Sequence, residues 1–270
     1  MSKKSKHSHR ENETRLLNAS SPFAIREAFN HLRTSLMYTL NTEEGCPIFA
    51  VTSAGEASGK STLMANIAIS YAAASKKVLL IDADMRAPMQ CNIFHVAKSA
   101  LGLSELLSGI EKDDANVIRT TEIDGLSLLL AGQTPPNPSE LIMSKAFEQY
   151  LKKWRLEYDA IFIDFPPVGI VTDTLAVHTL ITGYIFVVRS EQSDKRSVAA
   201  SLEIMKKLDA KILGIVLNDV DSKALGYGGR YANDKQYGRY ATKYESLHKY
   251  EAAYANACEQ ASKQEDKHDA

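Results

Sequence analysis

The sequence of 270 residues lacks several features that would assign it to a functional class at once. Its three cysteines, Cys46, Cys91 and Cys258, share no spacing typical of a metal site or a redox pair, so we expect ordinary reduced thiols. No apolar run approaches the ~18 residues of a membrane span. The formal net charge is only −1, so composition gives no argument for a nucleic-acid partner, and we expect none.

The first fifteen residues, MSKKSKHSHRENETR, are polar and basic and lack the apolar segment of a signal peptide. We therefore expect a cytoplasmic protein with a disordered basic tail over residues 1–20. In an alternative interpretation, Lys3, Lys4, Lys6 and Arg10 contact an anionic membrane surface. A hydrophobic content of 44% is enough for a sizeable core, and the length fits one large α/β domain with tails.

Apolar runs alternate with helical patterns along most of the chain. The runs that predict buried strands are 48–52, 78–82, 126–131, 160–164, 184–188 and 212–217. Helical periodicity predicts helices over residues 22–41, 61–74, 144–158 and 194–208. This alternation indicates a doubly wound, mostly parallel α/β sheet with helices on both faces. Ligands of such sheets bind at the carboxyl ends of the strands.

The segment SAGEASGKST, residues 53–62, follows the first predicted strand and opens a predicted helix. It predicts a phosphate-binding loop, in which backbone N–H groups and the helix N-terminus hold nucleotide phosphates. The match to G-x-x-x-x-G-K-[ST] is imperfect, because Ala54 stands at the first glycine position. A plain small-residue turn is the alternative. The predicted nucleotide-binding residues are Gly55, Ala57, Ser58, Gly59, Lys60, Ser61 and Thr62.

Within this loop, Lys60 is predicted to reach the β- and γ-phosphates and Ser61 to help hold Mg²⁺. Three carboxylates end predicted strands nearby: Asp82 and Asp84 in VLLIDAD, and Asp164 in AIFID. Carboxylate oxygens suit Mg²⁺, and one of the three is positioned to accept a proton from an attacking hydroxyl or water. The alternative is that each aspartate only caps a helix.

After Asn218 the composition changes, and residues 226–240 are too rich in glycine and polar residues to pack a core. The predicted division is an ATP-binding domain over residues 21–222 and a tyrosine-rich, flexible tail over residues 223–270. Seven of the twelve tyrosines lie in this tail: Tyr227, Tyr231, Tyr237, Tyr240, Tyr244, Tyr250 and Tyr254. The later ones fit the buried face of a docking helix, but repeated phosphorylation explains the whole set and is the interpretation that we favour.

Seven pieces of the sequence stand in one order: SAGEASGKST, LLIDADMRAP, GLSELLSG, AGQTPPNPSELI, FIDFPPVGIVTDT, GIVLN and the terminal tyrosine cluster. In this combination, residues 20–255 resemble the bacterial tyrosine kinases of capsular and exopolysaccharide operons, in the separate cytoplasmic form of Gram-positive bacteria. The resemblance implies a kinase domain that autophosphorylates the tail tyrosines in trans from MgATP. It also implies regulation of polysaccharide synthesis and export.

The resemblance assigns roles to individual residues. Lys60 looks like the phosphate lysine, and Asp82 looks like the residue nearest the incoming tyrosine hydroxyl, hence the candidate base. Asp84 and Asp164 look like metal-shell and water-positioning carboxylates. Asn218 is similar to the asparagine that meets the adenine in related ATPases.

The resemblance also implies partners. These are a membrane adaptor, or co-polymerase, whose cytoplasmic tail activates the kinase and recruits it to the inner face of the membrane, and a cognate phosphotyrosine phosphatase. A homo-oligomeric ring is implied as well, through a helix carrying Glu-x-x-Arg-x-x-Arg. Here Glu27 and Arg33 match this motif, but Asn30 replaces the first arginine. The sequence therefore leaves open whether a ring forms.

Two other interpretations remain. A partitioning or cell-division-positioning ATPase has the same fold, but that family carries a second lysine five residues before the loop lysine, where this chain has Gly55. A regulatory protein that binds ATP and docks on a polysaccharide-export adaptor, with little kinase activity, is the alternative from a different class.

Overall fold

The computed structural model describes residues 16–39, 45–97, 100–171 and 173–220. The strands are β1 (Ile48–Ser53), β2 (Val78–Asp82), β3 (Ile118–Thr120), β4 (Leu126–Leu129), β5 (Ala160–Asp164), β6 (Gly183–Arg189) and β7 (Ile212–Asn218). The helices are α1 (Phe23–Thr39), α2 (Lys60–Ala72), α3 (Gln90–Ile93), α4 (Leu103–Leu107), α5 (Pro138–Ile142), α6 (Lys145–Trp154), α7 (Asp173–Ala176) and α8 (Lys195–Lys207).

The seven strands form one sheet in the order β3-β4-β2-β5-β1-β6-β7. Every pairing is parallel except that of β3 with β4, so the prediction of a mostly parallel sheet is confirmed. The strands β1, β2 and β5 are buried along their whole length, as their continuous apolar runs predict. The edge strand β3 was not predicted, because three half-exposed residues carry no periodic signal.

Helices cover both faces of the sheet, as predicted. On one face, α2 and the buried Leu36 of α1 pack against side chains of β1, β2 and β5. On the other face, α4, α5, α6 and α8 contribute to a second core. The predicted stripe of Phe147, Leu151 and Trp154 on α6 is fully buried there, which confirms the helical periodicity of that segment.

Helix ends follow local capping. The Ser144 hydroxyl accepts the Phe147 N–H at 3.3 Å, so α6 begins one residue later than predicted. The Asp194 carboxylate accepts the Ser197 N–H at 2.8 Å and caps α8 in the same way. Both helices end before their predicted limits. No helix among the described residues is long and apolar enough to cross a membrane.

Of the predicted N-terminal tail, residues 1–15 lie outside the described part, whereas Leu16 and Leu17 pack against the core on the α2 face. The Leu17 N–H donates to Asn66 Oδ1 at 2.6 Å. The tail prediction, residues 223–270 with all seven of its tyrosines, lies outside the described residues and stays a prediction.

The two residues predicted for oligomer contacts have partners within the chain. The Arg33 guanidinium donates to the Ser70 carbonyl oxygen and, at 3.3 Å, to the Ser70 hydroxyl. The Asn30 amide donates to Glu27 Oε1 at 2.9 Å, and the Ser70 hydroxyl donates to Asn30 Oδ1 at 3.4 Å. Asn30 therefore joins Glu27 to the Arg33–Ser70 contact inside one chain. The oligomer role of Glu27 and Arg33 stays a prediction.

Candidate active site

The predicted phosphate loop connects β1 to α2, at the carboxyl edge of the sheet. Gly59 precedes α2 with a φ of 86°, and a Cβ atom there would lie 2.1 Å from Asn218 Nδ2. The positive φ favours glycine at this position, and a side chain there would displace the Asn218 amide. A Cβ at Gly55 would contact nothing within 4 Å, so the loop does not need a glycine there for lack of room.

Two contacts from the end of the sheet brace the loop. The Asn218 amide donates to the Ser58 carbonyl oxygen at 3.0 Å, and the Arg189 guanidinium donates to the Ala57 carbonyl oxygen at 3.0 Å. Arg189 also forms an ion pair with Asp219, at 2.8 Å. Asn218 thus contacts the loop itself, and its predicted adenine contact stays a prediction.

Lys60 is almost fully buried at the first position of α2. Its Nζ lies 3.1 Å from Asp84 Oδ2, 3.3 Å from Asp164 Oδ1 and 3.4 Å from Ser61 Oγ. Burial opposes the ammonium form, but the negative charges of Asp164 and Asp84 outweigh it and raise the pKa of Lys60. The lysine therefore stays charged where phosphates are predicted to bind.

Asp82 has no exposed surface. Its Oδ2 accepts the backbone N–H groups of Met89 and Gln90 at 3.1 and 2.9 Å, and its Oδ1 accepts the Asp84 N–H at 3.2 Å. Burial and then the charge of Asp164 raise the pKa of Asp82 well above its ordinary range, although the Gln90 hydrogen bond opposes this. A raised pKa makes Asp82 a better proton acceptor than an exposed aspartate.

Gln90, which was not among the predicted site residues, connects the parts of the site. Its amide Nε2 donates to Asp164 Oδ2 at 3.0 Å and to the Ser61 carbonyl oxygen at 3.1 Å. Its Oε1 is buried and has no hydrogen-bond partner among the described residues. No local motif marks a glutamine for this position, because its partners lie 29 and 74 residues away along the chain.

The donor set suits a magnesium–nucleotide complex. The oxygens of Ser61, Asp84 and Asp164 surround one buried ammonium. Among the described residues, no three His, Cys, Asp or Glu side chains form a metal cage by themselves. Mg²⁺ is usually held by one or two carboxylates together with phosphates and waters, and Asp84 and Asp164 are two such carboxylates. The buried Ser58 Oγ also has no hydrogen-bond partner among the described residues. A free hydroxyl in this loop suits a site that binds phosphate oxygens.

Comparisons with known proteins indicate which protein families have a site of this kind. The ParA family model, described as an NUBPL iron-transfer P-loop NTPase, matches residues 47–224. A Staphylococcus aureus protein named putative tyrosine-protein kinase CapB is 40% identical over 195 residues, covering 72% of this chain and 84% of that protein. The tyrosine-protein kinase CpsD of Streptococcus agalactiae is 33% identical over 202 residues, covering 75% of this chain and 86% of CpsD.

This chain belongs to the family of bacterial tyrosine kinases of capsule operons. The solved kinase domain of the Escherichia coli tyrosine kinase ETK has the same fold, with a TM-score of 0.67 and 34% identity over 72% of this chain and 75% of that domain. The resemblance inferred from the sequence is thereby confirmed. The match to a P-loop NTPase family model implies that the chain binds a nucleotide.

A further charged residue of the loop after β2 is Arg86, which has partners on two helices. Its guanidinium lies 2.7 Å from Asp173 Oδ2 and donates to the Ser139 hydroxyl at 2.9 Å. Ser139 in turn donates to the same Asp173 oxygen at 2.8 Å. Arg86 thus connects the loop after β2 to α5 and α7.

Proposed function

We propose that this protein is a protein-tyrosine kinase that phosphorylates tyrosines of the 223–270 tail in trans, from MgATP, and thereby regulates capsular or exopolysaccharide synthesis and export. One observation carries the proposal. Lys60 Nζ lies within 3.3 Å of carboxylate oxygens of both Asp84 and Asp164. Asp82 ends the strand β2, which pairs with the strand β5 that ends in Asp164. Family membership supports tyrosine as the acceptor.

The proposed transfer uses the chain's own groups as follows. The loop 53–62 and Lys60 hold the β- and γ-phosphates of ATP. Asp82 takes the proton of the tyrosine hydroxyl. The phenolic oxygen forms a bond to the γ-phosphorus, while the bond from that phosphorus to the β–γ bridging oxygen breaks and ADP leaves. Most of the catalysis is positioning and electrostatic stabilisation.

The proposal includes a magnesium ion bound beside the phosphates. Ser61, Asp84 and Asp164 would hold it, because their oxygens lie together around the Lys60 ammonium. When bound, Mg²⁺ neutralises charge on the phosphates. With ATP bound, Lys60 would contact phosphate oxygens, and Asp84 and Asp164, its present partners, would be available to hold the metal.

The proposal includes the partners that the family resemblance implies. A membrane adaptor, or co-polymerase, activates the kinase through its cytoplasmic tail and brings it to the inner face of the membrane. A cognate phosphotyrosine phosphatase reverses the reaction. Transfer in trans requires that two copies of the chain meet. Glu27 and Arg33 are the proposed contacts between these copies. A ring is one form that such an oligomer can take.

The experiment that tests the proposal compares two lysines at the first position of a helix. Lys60→Met removes the buried ammonium of α2, whereas Lys195→Met removes an exposed one from α8. Each purified chain is incubated with MgATP and a peptide from the adaptor's cytoplasmic tail, and phosphotyrosine is mapped by mass spectrometry. We expect phosphate on the tail tyrosines of wild type and Lys195→Met but none on Lys60→Met, whose circular dichroism stays native. Equal phosphorylation of Lys60→Met contradicts the site.

The second candidate function is an ATP-binding regulatory partner of the co-polymerase with little kinase activity. The burial of Asp82 favours it, because a base without exposed surface is closed to a hydroxyl in this conformation. The same experiment separates the two functions. Binding or hydrolysis of ATP without any phosphotyrosine, in the presence of the adaptor peptide, supports the regulatory protein.

A further inference from the structure

Two side chains at the ends of β6 and β7 contact two consecutive carbonyl groups of the phosphate loop. Arg189 and Asn218 are paired residues in the parallel register of these strands. Each lies two residues beyond a valine that packs in or against the core on the α2 face, so both lie on that face. The Arg189 guanidinium donates to the Ala57 carbonyl oxygen at 3.0 Å. The Asn218 amide donates to the next carbonyl oxygen, that of Ser58, also at 3.0 Å.

Covalent geometry turns these two contacts into a constraint on the N–H groups that follow. In a trans peptide, the carbonyl oxygen and the N–H of the next residue point in opposite directions. The described part of the chain has no cis peptide bond. Because the Ala57 carbonyl is held toward Arg189, the Ser58 N–H points away from Arg189. The Gly59 N–H points away from Asn218 for the same reason.

The two N–H groups oriented in this way are free to bind a ligand. Neither the Ser58 N–H nor the Gly59 N–H has a hydrogen-bond partner among the residues that the structure describes. The buried Ser58 Oγ has none there either. Successive N–H groups in a turn of this kind form an anion-binding concavity. Their orientation therefore decides how well the loop holds a phosphate.

The Ala57 backbone depends on its contact with Arg189. Its φ is 55°, in the left-handed region that residues other than glycine seldom adopt. Ala57 is exposed, so packing does not hold it in this conformation. The hydrogen bond from Arg189 therefore stabilises a loop conformation that alanine does not favour by itself.

Asp219 fixes the Arg189 guanidinium in turn. Its Oδ2 accepts the Nε–H group at 2.9 Å and lies 2.8 Å from one terminal nitrogen. The other terminal nitrogen is the one that donates to the Ala57 carbonyl oxygen. The planar guanidinium thus presents donors to two partners at once. A lysine ammonium is a point charge on a flexible stem and does not reproduce this arrangement.

We propose that Arg189 is a positioning residue for phosphate binding, which aims the Ser58 N–H at the nucleotide phosphates by holding the Ala57 carbonyl oxygen. Asp219 supports this role by holding the guanidinium. The inference rests on the phosphate-binding role of the loop in the proposed function, and it adds a residue that acts through the loop. Since the loop holds the phosphates both before and during transfer, Arg189 affects the binding of ATP more than the transfer step.

Calorimetric binding of a non-hydrolysable ATP analogue, with Mg²⁺ and the full chain, tests this role. Arg189→Met removes the guanidinium, and Arg189→Lys keeps its charge without its planar set of donors. Arg196→Met is the control, because it removes an exposed arginine from α8. We expect affinity about tenfold weaker for Arg189→Met, intermediate for Arg189→Lys and unchanged for Arg196→Met. Wild-type affinity in Arg189→Met overturns the proposal, and so does wild-type affinity in Arg189→Lys, which would assign the effect to charge alone.

The affinity also separates positioning from a general loss of stability. An unfolded fraction lowers the number of binding sites per chain but leaves the affinity of the folded chains unchanged. A fall in the number of sites at wild-type affinity therefore overturns the proposal. For chains that transfer phosphate, we expect Arg189→Met to raise KM for ATP about tenfold and to keep kcat within about twofold of wild type.

The two amide protons test the mechanism separately. The chain is labelled with ¹⁵N at serine and glycine, and the amide signals of Ser58 and Gly59 are followed by NMR up to saturation with the analogue. In wild type we expect both protons to shift, because each gains a hydrogen bond to phosphate. In Arg189→Met we expect a smaller shift for Ser58 only, because Asn218 still holds the peptide of Gly59. Unchanged shifts, or equal losses at both residues, overturn the proposal.

Failure of this proposal and failure of the kinase function give different results. Tail phosphorylation by wild type, together with wild-type analogue affinity in Arg189→Met, overturns the positioning role and leaves the kinase. Weaker analogue binding by Arg189→Met, without any phosphotyrosine in wild type, supports the positioning role and overturns the kinase. Absence of analogue binding in wild type overturns both.

Discussion

Asp82 and Asp164 are direct neighbours in register at the carboxyl ends of β2 and β5. The Ala83 N–H donates to the Asp164 carbonyl oxygen at 2.9 Å and extends this pairing by one residue. Gln90 contacts both carboxylates, through its backbone N–H to Asp82 and its side-chain amide to Asp164. Two like charges that lie this close repel each other, so their positions depend on the donors that hold them.

Replacing Gln90 tests this dependence. Gln90→Leu keeps the size of the side chain and the backbone N–H, but it leaves Asp164 Oδ2 and the Ser61 carbonyl oxygen without their amide donor. We expect a loss of stability of about 1–3 kcal/mol, as for other buried groups left unpaired. We also expect kcat for tyrosine transfer to fall about tenfold with KM for ATP little changed, because a misplaced carboxylate affects the transition state most.

Two further substitutions act as controls for Gln90. Gln90→Glu keeps the shape but adds a carboxylate beside Asp164, so we expect a larger loss of kcat than for Gln90→Leu. Gln90→His keeps a donor at the position and is expected to recover part of the rate. Steady-state kinetics and urea unfolding measure these effects, and unchanged kcat in Gln90→Leu would show that the amide positions nothing.

Two glycines of the phosphate loop are predicted to differ. Gly59→Ala places a Cβ 2.1 Å from Asn218 Nδ2 at a φ of 86°, so we expect a loss of about 1–2 kcal/mol from conformation alone, and more from the clash. Gly55→Ala meets nothing within 4 Å and is expected to stay within about 0.5 kcal/mol of wild type. Urea unfolding and ATP-analogue binding measure both.

A second substitution separates the two parts of the Gly59 effect. Asn218→Ala removes the amide that a Cβ at position 59 would strike. We therefore expect the double variant Gly59→Ala/Asn218→Ala to regain the stability lost to the clash but not the stability lost to the unfavourable backbone conformation. If Gly59→Ala and Gly55→Ala prove equally stable, the loop conformation described here is wrong.

The single tryptophan of the chain reports on a buried carboxylate outside the site. Trp154 Nε1 donates to Asp114 Oδ2 at 2.7 Å, and Lys153 Nζ lies 2.7 Å from Asp114 Oδ1. Burial opposes the charged form of Asp114, but the hydrogen bonds from Lys153 and Trp154 outweigh it and hold the pKa of Asp114 below its ordinary value.

The sign of the resulting pH dependence follows from linkage. Since the pKa of Asp114 is lower in the folded than in the unfolded state, its stabilisation is present above the unfolded value and is lost as pH falls through the folded one. We expect Asp114→Asn to be less stable than wild type at neutral pH, with the difference shrinking below about pH 4. Urea unfolding followed by Trp154 fluorescence measures this, and a difference that does not change with pH contradicts the assignment.

The sequence predicts the central strands well because each is a continuous apolar run that ends in a polar residue. The strands β2 and β5 match their predicted limits, and the aspartates at their ends indicate the site. By contrast, α3, α4 and α5 have only four or five residues, too few to show a helical period.

Contacts between distant parts of the chain are what the sequence does not show. Arg189 bonds to Ala57, 132 residues away, and Gln90 bonds to Asp164, 74 residues away. Neither residue type is unusual in its own segment, so only the fold connects them. Lys60 was predicted from its motif to bind phosphates, but its pairing with Asp84 and Asp164 required the sheet register.

The most direct test of the account is a mixture of a chain that lacks the acceptor tyrosines and a chain that lacks kinase activity. The donor carries tyrosine to phenylalanine substitutions at all seven tail positions from Tyr227 to Tyr254, and the acceptor carries Lys60→Met with its tail intact. Incubation with MgATP and the adaptor peptide is followed by mass spectrometry of the tail. The account predicts phosphotyrosine on the Lys60→Met tail in the mixture and none when that chain is alone. An unmodified tail in the mixture, while wild type modifies its own, would contradict transfer in trans.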